Sequence, residues 1–260
     1  MSKKNHLLPQ IFPKKFTQKI PKNEGRRFAI SDIHGCGKTF MYLVEDILNL
    51  KKNDQLFILG DLIDRGENSI LLLNYILEKQ QEGYQIFVLI GNHEQMLLDF
   101  YHQNDNYLHR KTIARNHLEE LVNEKGKIKK KYADFFDDML FYIELENCFL
   151  VHAGFDVGYE PLNDEDLFTN THAMLWIRKF KGNLYKTNQK PVVHGHVVHN
   201  LEAIKQNLEL AKENRTAIVP IDNGCVYVTL GKYRKYKGEV GNLCAIELNS
   251  WELFYTPYRM

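Results

Sequence analysis

Acids, amides and imidazoles recur in this chain directly behind short apolar runs. "RFAI" is followed by Ser31-Asp32-Ile33-His34-Gly35, "QLFIL" by Gly60-Asp61-Leu62-Ile63-Asp64-Arg65-Gly66, and "QIFVLI" by Gly91-Asn92-His93-Glu94. "NCFLV" runs into His152-Ala153-Gly154, and "PVV" into His194-Gly195-His196. Imidazole nitrogens and carboxylate oxygens are ligands for transition metals and carriers of protons. One such cluster behind a strand is ordinary turn chemistry; five at successive strand ends are not explained that way. The first cluster also invites a P-loop reading, because Gly37-Lys38-Thr39 reads like the end of a phosphate-cradling loop. That loop requires a glycine five residues before Gly37. Asp32 stands there, and its carboxylate would repel the phosphate. The cluster reads as metal chemistry.

Ligands scattered over 165 positions, from Asp32 to His196, need a scaffold that brings strand ends together. Between the first three apolar runs lie "TFMYLVEDILNL" and "SILLLNYILEKQQ", with apolar residues at helical spacing. Strand, helix, strand, helix, strand predicts an α/β architecture, which gathers ligands at the carboxyl ends of its strands. Residues 95–140 are charged and helical in pattern, with a basic tract from Lys125 to Tyr132; they read as a helical insertion capping the strand ends. "TAIVPI", "CVYVTL", "LCAIEL" and "ELFYT" read as strands of a second sheet packed on the first. The predicted organisation is a basic arm over residues 1–25 and one domain over 26–260, carrying the insertion.

Composition narrows the function classes. A chain of 260 residues buries one substantial core, and a net charge of +1 argues against a dedicated nucleic-acid or membrane-surface protein. The arm has six lysines and no acid before Glu24, with no signal-peptide core, and nothing downstream is long and apolar enough for a membrane span. Cys36, Cys148, Cys225 and Cys244 are widely spread without a C-x-x-C pair, the usage of a reduced, cytoplasmic chain.

Taken in order, Asp32-Ile33-His34-Gly35, Gly60-Asp61-Leu62-Ile63-Asp64-Arg65-Gly66, Gly91-Asn92-His93-Glu94, His152-Ala153-Gly154 and Gly195-His196 resemble the motifs of the calcineurin-like metallophosphoesterases. Within that superfamily they are most similar to bacterial members of the phosphoprotein phosphatase family, and "IDNGCVY" from Ile221 extends the likeness. The resemblance implies two packed mixed β-sheets flanked by helices, and two divalent transition-metal ions, manganese first, with iron or zinc as alternatives. It implies one ion on Asp32, His34 and Asp61 and a second on Asp61, Asn92, His152 and His196, with a hydroxide held between them as nucleophile. A shared Asp61 suits ions about 3.5–4 Å apart, and mixed imidazole and oxygen ligands suit transition metals over calcium. His93 would protonate the leaving oxygen with Asp64 orienting its ring, while Arg65, Asn92 and Arg178 would hold phosphate. Spacing alone lets either His194 or His196 reach a metal; the resemblance selects His196.

The departures bear on substrate. Residues 95–140 do not show the tryptophan and paired-glycine tract of many bacterial relatives. Ser31 replaces a common glycine, with no evident chemical consequence. Lys232, Arg234, Lys235 and Lys237 form a basic loop that either contacts an acidic substrate or is solvated, and Cys225 reads as a packed residue. The leading expectation is a phosphatase acting on phosphomonoesters, phosphoserine and phosphothreonine in proteins or a small phosphoester. Symmetrical cleavage of diadenosine tetraphosphate is the alternative. A phosphodiesterase or nuclease is disfavoured because Val198 occupies the place of a second histidine, and a silent binding module because the ligand set is intact.

Overall fold

In the computed structural model of the chain, the described residues are 16–102, 111, 113–116, 118–157, 167–230 and 239–260. Most of the N-terminal arm and the basic residues 232–237 lie outside them. Among the described residues, ten strands form two five-stranded mixed sheets. In the first, Arg27–Ile30 (β2), Gln55–Ile58 (β3) and Gln85–Val88 (β4) run parallel. Their crossovers are the helices Gly37–Tyr42 (α1), continued by a π-helical turn over Leu43–Ile47, and Ser69–Gln81 (α2).

The second sheet joins Thr17–Lys19 (β1), Tyr142–Glu144 (β5), Phe149–Val151 (β6), Val192–His194 (β7) and Ile218–Pro220 (β8) in that order. Only the β5–β6 pair is antiparallel.

Every residue of β2 and β3 is buried, because the sheet is covered on both faces. Phe28, Ile30, Leu56 and Ile58 share a core cluster with Phe40, Leu43, Leu72 and Ile76 of the helical layer. The alternate residues Ala29 and Phe57, with Leu59 beyond the strand end, instead cluster with Ile143, Leu150, Val193 and Val219 of the second sheet. The period of two along each strand thus divides one sequence run between two cores.

Two expectations about the C-terminal third need correction. Only "TAIVPI" supplies a strand to the second sheet, β8. "LCAIEL" and "ELFYT" form Asn242–Glu247 (β9) and Glu252–Pro257 (β10), which extend the first sheet, β9 pairing antiparallel with β2. "CVYVTL" is not a strand at all. The Asp222 carboxylate accepts the Gly224 N–H at 2.7 Å, Gly224 turns left-handed at φ +68°, and Cys225–Val228 follows as a 3-10 turn. Local turn chemistry here overrides an alternating apolar pattern.

The described part of residues 95–140 is mainly helical. Asn92–His102 (α3) leaves the end of the third parallel strand, and Lys130–Asp137 (α4) packs Tyr132, Phe135 and Phe136 into the larger core cluster. Thr171–Trp176 (α5) and Leu201–Lys212 (α6) both start on an asparagine, whose side chain accepts the N–H of Ala173 at 3.0 Å and of Ala203 at 2.8 Å. Among the described residues no helix is long and apolar enough to cross a membrane.

Candidate metal centre

The loops behind β2, β3 and β4 are tied together by backbone. The Asp61 carbonyl accepts the N–H groups of Ile33 at 3.0 Å and His34 at 2.8 Å. Glu94, fully buried, closes the other side: one carboxylate oxygen accepts from Asp61 at 2.9 Å and Gly91 at 3.0 Å, the other from Leu62 at 2.8 Å and Ile63 at 3.1 Å. Its bond to Gly91, three residues earlier, is the return half of a capping box at the start of α3. Sequence reasoning gave Glu94 no such role, although a glutamate at the third helical position was the available signal.

The same loops carry backbone strain. His34, Asp61, Asp64, Arg65 and His196 all have φ between +46° and +71°, half of the ten non-glycine residues with positive φ among the described residues. Left-handed backbone at non-glycine residues is costly and gathers at functional sites. Close approach explains two glycines. A Cβ on Gly91 would lie 2.2 Å from Asp61 Oδ1, and one on Gly195 would lie 2.1 Å from Asp32 Oδ1.

Two groups of side chains meet on Asp61. In one, His34, Asp61 and His93 present ligand atoms within 4.8 Å of one another; in the other, Asp61, His152 and His196 do the same. Asp61 Oδ2 lies 3.3 Å from His34 Nε2, and Asp61 Oδ1 lies 3.6 Å from His152 Nε2. Asn92 Oδ1 is 3.0 Å from the same His152 nitrogen. Asp32 sits beside the second group, its carboxylate accepting the backbone N–H of His196 at 3.0 Å. Ser31 Oγ donates to the same Asp32 oxygen at 3.0 Å, so the serine does have a chemical consequence: it orients that carboxylate.

The proton positions show what this donor set suits. His34 Nδ1 faces the Ile63 carbonyl at 3.0 Å and His152 Nδ1 faces that of Leu59 at 2.9 Å, so each ring carries its proton there. His152 Nε2 then turns its lone pair on the Asn92 and Asp61 oxygens, and His34 Nε2 accepts from Arg65 at 2.6 Å while lying 3.3 Å from Asp61 Oδ2. His196 Nε2, like that of His194, is buried without a hydrogen-bond partner. Lone pairs converging on oxygens repel unless a cation lies between them, and a backbone carbonyl on the far ring nitrogen is the usual support of a metal-bound histidine. The residues fit divalent ions.

Charge states agree with that fit. Burial, then the positive charge of Arg65, keep His34 well below the usual imidazole range. Burial, then the neighbouring His152, hold His196 down to about 3, with Arg178 adding to the effect. Burial and the charges of Asp32 and Glu94 push Asp61 well above the usual carboxylate range, the cost of gathering carboxylates without a counter-ion.

His93 is placed differently. Its Nδ1 meets Asp64 Oδ2 at 2.6 Å. Burial alone would lower its pKa, but the Asp64 hydrogen bond and the Asp61 charge outweigh burial and raise it. The Arg65 guanidinium spans the two imidazoles, with one nitrogen 2.6 Å from His34 Nε2 and the other 3.0 Å from His93 Nε2. Arg178, exposed just beyond α5, is close enough for its charge to act on His196. His194 is buried with Nδ1 3.1 Å from the Gly195 carbonyl and its ring against Phe180.

Two sheets deliver imidazoles and carboxylates to one shared aspartate, a donor set suited to a metal pair, and comparison with known proteins gives the family. The chain belongs to the calcineurin-like phosphoesterase family, whose pattern matches residues 26–228. That family is one of phosphoester hydrolases that work with a metal pair.

The chain is 33% identical over 101 residues to a symmetrical bis(5'-nucleosyl)-tetraphosphatase of Buchnera aphidicola subsp. Schizaphis graminum, covering 37% of this chain and 36% of that protein. The match thus spans about a third of that relative's length. It is 28% identical over 231 residues to the asymmetrical bis(5'-nucleosyl)-tetraphosphatase PrpE of Anoxybacillus flavithermus, covering 76% of this chain and 85% of that one. The fold is shared with a cold-active protein-tyrosine phosphatase of a psychrophilic Shewanella species, at a TM-score of 0.53 and 17% identity, covering 96% and 81% of the two chains.

Proposed function

We propose that this chain hydrolyses the phosphoanhydride bridge of dinucleoside polyphosphates. Asp32, His34 and Asp61 would hold one divalent transition-metal ion, and Asp61, Asn92, His152 and His196 the other. The observation that carries the hydrolase assignment is Asp61, common to both side-chain groups. The named tetraphosphatases, one of them aligned over most of both chains, support the substrate class. Bound there, a pair of divalent ions supplies Lewis acidity and a water acidic enough to ionise near neutral pH.

The chain's own groups do the rest. His93 donates its Nδ1–H to Asp64, and Nε2, which faces Arg65 at 3.0 Å, would deliver a proton to the leaving oxygen from the doubly protonated ring. Arg65 presents two parallel donors, a fork that matches phosphate oxygens, and Arg178 adds charge at the rim. Asn92 reaches phosphate through its amide.

One observation favours a second reading, dephosphorylation of phosphoserine and phosphothreonine. The His93–Asp64 pair is the device that an alkoxide leaving group needs most, because an alkoxide leaves poorly without a proton. The test is a panel on the manganese-loaded chain: diadenosine tetraphosphate, a phosphoserine peptide and bis-p-nitrophenyl phosphate. The tetraphosphate should show the highest kcat/KM. A higher value for the phosphopeptide establishes the second reading, and cleavage of the diester alone sinks both.

A further inference from the structure

Beside the candidate metal centre, α3 and α5 enclose a cavity of about 210 Å³. Gln95 and Asp99 of α3, His172, Leu175 and Trp176 of α5, and Phe141 line it. Gln95 lies one helical turn beyond Asn92, and the half-buried Trp176 has its ring centroid 6.5 Å from that of His196, at an interplanar angle of 84°. The cavity therefore opens next to the reacting end. At this size it takes part of a ligand rather than a whole drug-sized molecule.

Its chemistry divides into a flat apolar surface and a polar edge. Phe141 and Leu175 are buried, and the half-buried Trp176 lines the cavity with them. Opposite, Gln95 Nε2 donates to Asp99 Oδ1 at 2.8 Å, which holds the amide in a fixed plane. An amide carries two N–H donors and an acceptor oxygen, so Gln95 keeps a donor and an acceptor after that bond. A planar amide with both is the group that reads the donor–acceptor edge of a purine. The Asp99 carboxylate repels phosphate from this end, whereas Arg65 and Arg178 attract it to the other.

Resting on the nucleotide reading above, we infer that this cavity is a nucleobase subsite: the base stacks on Trp176 with its edge on Gln95, and the phosphate chain runs past Arg178 toward Asp61. The Gln95–Asp99 pair would set the preference for a purine.

Isothermal titration of the manganese-loaded wild-type chain compares α,β-methylene-ADP with methylenediphosphonate, which carries the same phosphorus groups and no nucleoside. A stacked base should make the nucleotide bind about tenfold tighter or more. In the chain with Trp251→Phe, so that Trp176 is the remaining tryptophan, the nucleotide should quench the emission and the diphosphonate should not. Gln95→Ala should erase most of the nucleotide's advantage.

Equal affinities for the two ligands overturn the subsite, as does unchanged Trp176 emission. Tighter binding of a phosphoserine peptide with basic flanks also overturns it, assigning Asp99 to peptide recognition. The wild-type titration needs no substitution, so a misfolded variant leaves the comparison intact. Tetraphosphate cleavage without a base advantage removes the subsite and keeps the activity; a base advantage without cleavage does the reverse.

Discussion

The Glu94 carboxylate accepts the backbone N–H of Asp61 at 2.9 Å across thirty-three positions of chain. Three further N–H groups, of Gly91, Leu62 and Ile63, share the same carboxylate. The loop that aims Asp61 is therefore held by a residue that reaches neither phosphate nor metal. Glu94→Gln replaces one accepting oxygen by a donor that faces N–H groups. The expected loss is about 1–3 kcal/mol of stability, the cost of buried polar groups left unpaired. Metal affinity should fall about 10–100-fold with it, as for a supporting residue behind a ligand. Denaturant unfolding and metal titration of the variant check both; unchanged values in the two measurements refute the role.

Asp61 belongs to both ligand groups, so its loss should be felt twice. Asp61→Asn keeps the shape and removes the charge. Elemental analysis after dialysis should show both ions depleted together. One ion retained at full occupancy would mean that Asp61 serves a single site.

In the proposed reaction His93 delivers a proton to the leaving group, with Asp64 against its Nδ1 at 2.6 Å. His93→Asn should lose about 10²–10⁴-fold on a leaving group that needs protonation. On p-nitrophenyl phosphate, whose leaving group hardly needs a proton, the loss should shrink. Equal losses on an alkyl and a nitrophenyl ester would count against the acid role.

His194 and His196, two of the three histidines of "VVHGHVVH", are placed differently. His196 brings a ring nitrogen to the ligand group of Asp61, whereas His194 packs against Phe180. His196→Ala should empty the second site and abolish turnover. His194→Ala should keep both ions and lose turnover by about 10–100-fold. Metal content measured on the two variants side by side decides, and retention by His196→Ala with loss by His194→Ala would reverse the assignment.

Asp54 sets the register where β3 begins, accepting from Arg26 Nη2 at 2.6 Å and from the backbone of Arg26 and Lys51 at 2.9 Å each. Burial raises its pKa, but the Arg26 and backbone hydrogen bonds outweigh burial and lower it below the usual carboxylate range. A depressed folded pKa stabilises above the unfolded value of about 3.9 and ceases to do so as pH falls through the folded value. The stability gap between wild type and Asp54→Asn should hold steady from pH 7 to 5 and close below pH 4. A gap that persists at pH 2 would show that charge is not its source.

The clusters at the strand ends were legible because they are local. An apolar run of three to six residues followed by Asp, Asn or His beside glycine states both the strand and its polar terminus within one stretch of chain. α2 was legible for the same reason, spanning the Ser69–Gln81 run that its apolar spacing marks out. What each cluster could do followed from the types of donor it carries.

Other features depended on meetings between distant segments. "LCAIEL" states a strand but not its neighbour, and only the pairing of Phe28 with Glu247 assigns it to the first sheet. "CVYVTL" alternates like a strand, yet the Asp222 carboxylate and the left-handed Gly224 bend it into a turn. Glu94 reads as an ordinary helix-start acid until four N–H groups from two loops are found around it, and Ser31 as a neutral exchange until its hydroxyl is found on Asp32. Trp176 and Gln95, eighty-one positions apart, line one cavity between α3 and α5. Hydrogen bonds and cavities form between surfaces, and which surfaces meet is decided by the packing of whole elements rather than by any short run of residues.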